Sequence, residues 1–409
     1  MALIVQKYGG SSVGTIDRIR NVAKRLIATQ QAGNKVVAVI SAMSGVTDKL
    51  IALAHEVMDT PPERELDMLV STGEQQSIAL LCMAIADAGF KALSFTGAQA
   101  GISTYGSHTR GRIESISPER IMRALDEGYI VVCAGFQGMT PDGEIHTLGR
   151  GGSDLSAIAM AAAVKADVCQ IYTDVDGVYT CDPRVVKAAR KIPELCYDEM
   201  LEMASSGSKV MQTRSVELAK KYGVVFEVRN SMNNNPGTIV KEEDKDNPAM
   251  ESLVVRGISI ERNQARVTVS CITSPVPYTA LILSALAKAE INIDMIVANT
   301  AHDGMARQSF TMNMNELGAA QAALKSVLPQ LGPDAKLDTE AGLAKLTVVG
   351  VGMRSNSGVA ATMFRALADA NIPTGMISTS EIRISTTVEI DDIERAARVV
   401  HDAFHLEQA

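Results

Sequence analysis

Apolar and polar positions in the first 240 residues follow two alternating patterns. Short runs in which nearly every position is apolar, such as KVVAVISA at 35–42 and YIVVCAGFQG at 129–138, predict strands covered on both faces. Longer segments repeat apolar positions every three to four residues, as at 15–31 and 154–166, and predict helices. Further strands are predicted at 91–97 and 167–177. Strands that alternate with helices indicate the α/β class, with a doubly wound, mostly parallel sheet.

The pattern changes after the charged stretch KEEDKDNPAM at 241–250, which predicts a solvated linker. An internal repeat follows, in which Leu286 of the first copy matches Leu367 of the second. Each copy predicts the order strand, helix, strand, strand, helix, which is typical of a small α+β sandwich. Because the second copy lacks residues for its last strand, we expect LVVRGISI at 253–260 to supply it.

These patterns divide the chain into four predicted segments. An α/β domain covers 1–245, and a linker with a strand shared by the repeats covers 246–264. Two α+β modules cover 265–343 and 344–409.

Composition narrows the class of protein. A formal charge of −8 argues against a nucleic-acid-binding surface, which needs a basic stripe. No apolar run reaches the roughly 18 residues of a membrane-spanning helix. Six scattered cysteines, without a C-x-x-C pair, indicate reduced thiols. We therefore predict a cytoplasmic protein without a nucleic-acid or membrane partner.

The first strand ends at two adjacent glycines, in LIVQKYGGSSVG at 3–14. Gly9 and Gly10 leave backbone N–H groups accessible, and the helix predicted from Thr15 directs its positive end toward them. Lys7 adds a mobile cation suited to phosphate oxygens. The arrangement fits an anion such as phosphate, although a tight turn after an edge strand explains the same residues.

A second cluster, TLGRGGSDLSAIAMAAAV at 147–164, places an arginine between glycines ahead of an alanine-rich helix. Ser153 or Asp154 is the predicted N-cap of that helix. A capped helix with one surface arginine would explain Asp154. It does not explain Arg150, whose guanidinium between glycines is suited to bidentate binding of a carboxylate or phosphate.

Three further segments carry candidate functional groups. The aspartates of YTDVDGVYTCDPR at 172–184 either bind a ligand or form Asx-turns. Glu74, in STGEQQSIALL at 71–81, lies near a predicted helix start, where a glutamate often only interacts with the helix dipole. Lys209 in SSGSKVM is a second candidate cation for phosphate. Because the sequence offers no Ser-His-Asp set or metal-ligand cluster, these groups together favour phosphoryl transfer.

The motifs KYGGSS, STGE, LGRGGSD, YTDVDGVYTCDPR, GSKV and MISTSEIRIS, taken in this order, resemble the aspartokinase family. The resemblance covers the whole chain and implies the amino-acid-kinase fold followed by two ferredoxin-like ACT modules. It implies ATP-dependent phosphorylation of the side-chain carboxylate of L-aspartate to 4-phospho-L-aspartate. That reaction is the first step toward lysine (through diaminopimelate), threonine and methionine. The expected cofactors are ATP and the Mg²⁺ delivered with it, without a separate metal site.

The resemblance also implies residue roles. The expected catalytic residues are Lys7, Asp154 and Lys209. The expected ATP-binding residues are Lys7, Tyr8, Gly9, Gly10, Thr173, Asp174, Tyr179, Arg184 and Lys209. The expected aspartate-binding residues are Ser41, Thr47, Glu74, Arg150, Ser153 and Asp154, with Glu74 facing the ammonium group and Arg150 a carboxylate.

The ACT segment departs from the family pattern. The first loop reads Ser274-Pro275-Val276-Pro277 where the family has Asp-Lys-Pro-Gly, and Ala298 replaces a glutamine. A proline in place of the glycine restricts closure of the backbone on a ligand. We therefore expect feedback by lysine or threonine to be weakened or altered. The expected effector-binding residues are Ser274, Asn292, Ile293, Asp294, Ala298, Asn371, Ile372, Ser380 and Glu381.

The resemblance further implies a homodimer, or a four-chain assembly with a shorter regulatory chain that starts near Met250. Two other functions fit parts of the sequence. One is a different amino-acid kinase, of the glutamate or acetylglutamate type, although such relatives generally lack the ACT modules. The other is a non-catalytic amino-acid sensor on an inactive kinase scaffold, which usually loses some of the charged residues named above.

Overall fold

The chain folds into two units in a computed structural model that describes residues 1–207, 210–243, 254–273, 277–300, 305–354 and 356–408. The first unit comprises Met1–Val178, Lys191–Ser205 and Lys209–Pro248. The second comprises Tyr179–Arg190, Ser206–Ser208 and Ala249–Ala409. Lys209 and Ser274 of the expected sites lie outside the described residues, as does the predicted start at Met250.

The first unit alternates strands and helices. Its strands are β1 (Leu3–Tyr8), β2 (Lys35–Ile40), β3 (Ala92–Phe95), β4 (Ile102–Tyr105), β5 (Arg112–Ile116), β6 (Ile130–Ala134), β7 (Gln137–Met139), β8 (Ile145–Thr147), β9 (Val168–Thr173), β10 (Glu194–Cys196), β11 (Phe226–Asn230) and β12 (Thr238–Lys241). Its helices are α1 (Ile16–Gln31), α2 (Val46–Val57), α3 (Glu63–Val70), α4 (Thr72–Asp87), α5 (Glu119–Asp126), α6 (Gly152–Val164), α7 (Tyr197–Ser205) and α8 (Thr213–Tyr222).

Eight of these strands form one sheet in the order β10-β12-β11-β9-β1-β2-β6-β3. The pairs from β11 through β9, β1, β2 and β6 to β3 are parallel, and β12 runs antiparallel to β11. The central strands are apolar and buried, and α1 and α4 pack together over them. The predicted α/β class with a mostly parallel sheet is confirmed.

The strand predicted at 129–138 is divided in two, which corrects the sequence-based boundary. β6 ends at Ala134, and Phe136 has a φ of 67°, which an extended strand does not allow. Gly135 approaches Ser153 so closely that a Cβ would lie 2.9 Å from the Ser153 hydroxyl oxygen. The second half becomes β7 in a separate sheet of order β5-β4-β7-β8, which the sequence pattern did not predict.

The second unit is built from the repeat. Its strands are β13 (Gly257–Ile272), β14 (Ile296–Thr300), β15 (Ala306–Asn313), β16 (Lys336–Val349), β17 (Ile377–Thr379) and β18 (Arg383–Glu389). Its helices are α9 (Tyr278–Lys288), α10 (Leu317–Leu331), α11 (Val359–Asp369) and α12 (Ile393–Ala403). The strands form one sheet in the order β14-β15-β13-β16-β18-β17.

Two long strands connect the repeats within that sheet. β13 pairs with β16 from Gly257 to Ser270, and the register shifts between Glu261 and Arg266. The early part of β13 therefore lies beside the end of β16, which pairs with β18 on its other edge. The residue boundaries of the two modules stay predictions. Within the described residues, no helix has both the length and the apolar character needed to cross a bilayer.

Candidate active site

Lys7 and the glycines after it lie at the carboxyl end of the central strand. β1 and β2 are parallel neighbours, so the segments that follow them leave the sheet at the same edge. The N–H of Gly9 donates to the carbonyl of Tyr172 at 3.2 Å. A Cβ on Gly10 would lie 2.9 Å from the carbonyl oxygen of Ala42, closer than real Cβ atoms tolerate. Close approach of two backbone segments thus explains the second glycine.

The start of α6 provides the partner of Lys7. Gly151, in the left-handed region at φ 74°, is the N-cap, so the predicted capping role of Ser153 or Asp154 was wrong. Asp154 instead lies in the first turn, where its Oδ1 pairs with the Lys7 Nζ at 2.5 Å. Both side chains are nearly buried. Such a pair costs desolvation free energy, which makes it a sign of function more than of stability.

Glu74 is a buried carboxylate in the first turn of α4. Its Oε1 accepts the N–H of Ala42 at 3.0 Å. Its Oε2 is buried and has no hydrogen-bond partner in the part of the chain that the structure describes. Burial raises the pKa of Glu74 from 4.5 to about 7, and the Ala42 N–H opposes part of that rise. A cationic ligand group at Oε2 would satisfy this carboxylate and favour its ionised form.

Arg150 presents an exposed guanidinium above the start of α6. Gln212 Nε2 donates to its backbone carbonyl at 2.6 Å and so holds the turn between the glycines. Within the described ranges, no carboxylate pairs with the Arg150 side chain. Its five N–H donors are therefore available to an anionic ligand.

These groups line one cavity of about 540 Å³. The expected residues around it are Lys7, Gly9, Gly10, Ser41, Thr47, Glu74, Arg150, Ser153 and Asp154. Residues that the sequence did not single out also line it, among them Ser44, Asp48, Thr109, Phe136 and Thr147. Thr147 opens the glycine-arginine motif and could have been noticed. Thr109 had no local signal, since it reaches the cavity through the fold of another loop.

Other expected nucleotide-binding residues lie elsewhere. The Tyr8 side chain is fully buried, stacks on Tyr172 at 4.7 Å between ring centroids, and donates its hydroxyl to Gln6 Oε1. Only the backbone of Tyr8 is therefore near the glycine turn. Thr173 ends β9, which is adjacent to β1, and Asp174 follows it, but neither residue lines the cavity. Tyr179 and Arg184 belong to the second unit, where Arg184 pairs with Asp182 at 2.8 Å.

The described residues expected to bind an effector occupy three loops and one strand, β14, of the second unit. Asp294 pairs with the buried Lys345, and its backbone N–H donates to Thr311. Asn292 and Ala298 are exposed, and Ile293 packs against the core of its module. The expected residues of the second copy are Asn371 with φ 52°, the buried Ile372, Ser380 and Glu381.

The fold and cavity define a kinase of the amino acid kinase family. The sequence model of that family matches residues 2–230, and a model of the ACT domain matches 346–404. The chain is 50% identical over 407 residues to an aspartokinase of Geobacillus stearothermophilus, with 99% of this chain and 98% of the relative covered. The chain belongs to the aspartokinase family.

Two solved structures extend this comparison. Aspartokinase III of E. coli with aspartate and ADP matches with a TM-score of 0.81 at 24% identity, covering 98% of this chain and 99% of that one, and shows the shared fold. The same enzyme with lysine and aspartate matches with a TM-score of 0.74 at 25% identity, covering 98% and 99%. The family, the fold class and the kinase class predicted from the motifs are confirmed. These relatives favour an aspartokinase over the other two functions considered above.

Proposed function

We propose that the cavity of the first unit binds L-aspartate beside the terminal phosphate of ATP and transfers that phosphate to the side-chain carboxylate. The observation that supports this most strongly is the convergence of Lys7, Glu74, Arg150 and Asp154 on one cavity. A carboxylate and an ammonium group need opposite partners, and the cavity offers both. The names of the curated relatives support aspartate as the acceptor.

Each charged residue has a proposed partner on the substrate. Arg150 takes a carboxylate in a bidentate hydrogen bond, and the unpaired Oε2 of Glu74 takes the ammonium group. Ser41, Thr47 and Ser153, which also line the cavity, offer hydroxyl groups to the remaining oxygens. Lys7 and the Gly9–Gly10 turn receive the phosphate oxygens, and Lys209, Thr173 and Asp174 stay proposed nucleotide contacts.

The proposed mechanism is mainly electrostatic. The side-chain carboxylate of aspartate is already ionised at neutral pH, so the reaction needs no general base. The obstacle is repulsion between the carboxylate and the phosphate. Lys7 lowers it with a fixed positive charge, which Asp154 holds in place at 2.5 Å. Positioning and neutralisation of charge are what phosphoryl transfer mostly requires of a protein.

Magnesium is proposed to arrive bound to ATP, because phosphate oxygens are its usual ligands in kinase sites. The donor set of the cavity agrees with this, since Asp154 and Asp48 place carboxylate oxygens among its lining. The ion would supply further neutralisation of the phosphates.

An aspartyl-hydroxamate assay tests the proposed reaction. The protein is incubated with MgATP and, separately, with L-aspartate, L-glutamate, N-acetylglutamate and carbamate, and acyl phosphate is trapped by hydroxylamine. We expect product with L-aspartate and at most a small fraction of that rate with the other acids. Equal or faster turnover of another acid would overturn the assignment.

We also propose that an amino acid binds at the first ACT module, weakly because of the Ser274–Pro277 substitution, and that the chain forms a dimer or a four-chain assembly. The E. coli relative with lysine and aspartate supports lysine as the class of effector. Equilibrium dialysis with lysine and threonine tests effector binding, and sedimentation tests the assembly. Tight lysine binding at the first module would refute the expected weakening. A 409-residue product without any shorter species in native cells would refute the regulatory chain.

A further inference from the structure

A buried carboxylate behind the cavity wall lies outside the proposed substrate contacts. Asp67 on α3 is completely enclosed. Its Oδ1 accepts the Thr147 hydroxyl at 2.5 Å, and its Oδ2 accepts the Thr109 N–H at 2.9 Å. His108 Nδ1 lies 3.1 Å from the same Oδ2 and must carry the proton there if Asp67 is ionised. A buried carboxylate is tolerated only when such donors replace water.

Two of these donors belong to residues that line the cavity. Thr109 and Thr147 come from different segments, and Asp67 holds both while not lining the cavity itself. Thr109 has a φ of 62°, a conformation that residues other than glycine rarely adopt without support. The Asp67 carboxylate supplies that support through the Thr109 N–H. Its effect on a ligand is therefore indirect.

The same contacts extend to the turn that carries Arg150. Gly111 N–H donates to the Thr147 carbonyl at 2.8 Å, so the two segments are joined by backbone. A Cβ at Gly149 would lie 3.3 Å from the Thr109 carbonyl oxygen, so this turn packs directly on the Thr109 backbone. Arg214 joins the same two segments, because it donates to the carbonyls of Leu148 and Gly111 at 3.1 and 3.3 Å.

We propose that Asp67 is a positioning residue for substrate binding: through Thr109 and Thr147 it sets the turn at Gly149 and thereby the location of the Arg150 guanidinium. The inference rests on the proposed function, in which Arg150 binds a carboxylate of aspartate. Without the Asp67 carboxylate as acceptor, the wall relaxes and Arg150 moves relative to the Lys7–Asp154 pair. A small misplacement of a clamping group reduces binding of the group that it clamps more than it affects distant contacts.

Two substitutions test the proposal with little change of shape. Asp67→Asn replaces one acceptor oxygen by an NH2 group, which cannot accept from the donors around it. Thr147→Val removes the hydroxyl donor. Each is expected to raise the KM for aspartate by about tenfold, while the KM for ATP and kcat change by less than about twofold. Thr147→Ser retains the hydroxyl and should restore a KM near that of the wild type. Glu65→Gln, on the exposed side of the same helix, is the matched control.

The outcomes separate this inference from the proposed function. A wild-type protein that forms no acyl phosphate and binds no aspartate by calorimetry would overturn both. Wild-type activity with an unchanged KM for aspartate in both variants would overturn the role of Asp67 alone. A purely structural role would lower the Tm and the amount of active protein, and would leave the KM of the remaining enzyme unchanged. That result would also reject the proposal.

Discussion

Lys7 in the first unit and Lys345 in the second are both enclosed lysines paired with carboxylates, but their surroundings differ. Lys7 pairs with Asp154 and lines a cavity. Lys345, on the central strand β16, is only 3% exposed and pairs with two carboxylates, Asp294 and Glu261, the latter at 3.0 Å. An ammonium group has three donors. One carboxylate beside an open space leaves donors for a ligand, whereas two carboxylates in a closed sheet use them within the fold.

Burial of a charge therefore does not by itself identify a catalytic residue. Lys345 joins the loop that holds Asp294 to the paired strands β13 and β16, and so connects the two repeats. Lys7 connects two elements as well, β1 and α6, but it does so at the carboxyl edge of a parallel sheet, where ligands bind in open α/β folds. The location of the pair distinguishes the two functions.

The largest effect is expected for Lys7→Met. The substitution keeps a similar length and removes the charge, so turnover should fall by about a thousandfold or more, and the Tm should also fall because Asp154 loses its cation. Steady-state hydroxamate formation and circular dichroism measure the two quantities. Lys35→Met on the neighbouring strand, where the lysine pairs with Asp126 at the surface, is the control and should remain active. If Lys7→Met were as active as Lys35→Met, Lys7 would have no catalytic role and would not differ in this respect from Lys345.

Lys345→Met should instead affect stability. It leaves Asp294 and Glu261 without their cation, and because both are about one quarter exposed, water compensates part of the loss. We expect the free energy of unfolding to fall by about 2 kcal/mol, with turnover at saturating substrate within about twofold. Denaturant unfolding measures the change, and Lys336→Met at the exposed start of β16 is the matched control. A loss of turnover as large as that of Lys7→Met would contradict a structural role.

The Glu74 carboxylate predicts an effect of pH on aspartate binding. Its pKa of about 7 means that the ionised form, which attracts an ammonium group, increases as the pH rises from 6 to 8. The KM for aspartate should fall by about tenfold over that range. Glu74→Gln should abolish this dependence. A wild-type KM that is constant over the range would refute the contact between Glu74 and the ammonium group.

The same pKa has a consequence for stability in the absence of ligand. The unfolded carboxyl loses its proton near pH 4.5 and the folded one near 7, so between these values the folded chain binds more protons. The contribution of Glu74 is therefore fully favourable below pH 4.5 and declines as the pH rises toward 7. Thermal unfolding of the wild type and of Glu74→Gln across this range isolates that contribution.

The smallest effect is expected at an exposed ion pair. Asp126 pairs with Lys35 at 2.6 Å, yet 65% of its side chain is exposed. Asp126→Asn should change the free energy of unfolding by less than about 0.5 kcal/mol and should leave turnover unchanged. Denaturant unfolding at low and high salt measures the change in the free energy of unfolding. A decrease in the free energy of unfolding above 1 kcal/mol would show that the distance between the charged atoms determines the contribution of an ion pair more than its burial does.

Local patterns predicted most of the first unit. The helix at 15–31 and the strand at 35–42 were recognised because apolar periodicity is set by which face of an element is buried. The small four-stranded sheet was missed because the apolar run continues past the end of β6 at Ala134 as far as Phe136, without a polar residue that would mark the break. Only the positive φ of Phe136 and the contact between Gly135 and Ser153 divide that run, and both depend on α6 packing nearby.

By itself, the sequence determined the alternation of strands and helices, the repeat, and the motifs that mark the family, because these depend on neighbouring residues. Only the tertiary structure decided that nine of the expected residues share one cavity, that Gly151 caps α6, and that Asp67 supports the wall around Thr109 and Thr147. The reason is physical. Hydrogen bonds and ion pairs act over about 3 Å, whereas the residues that they join, such as Lys7 and Asp154, are far apart in the chain, so no local pattern encodes them.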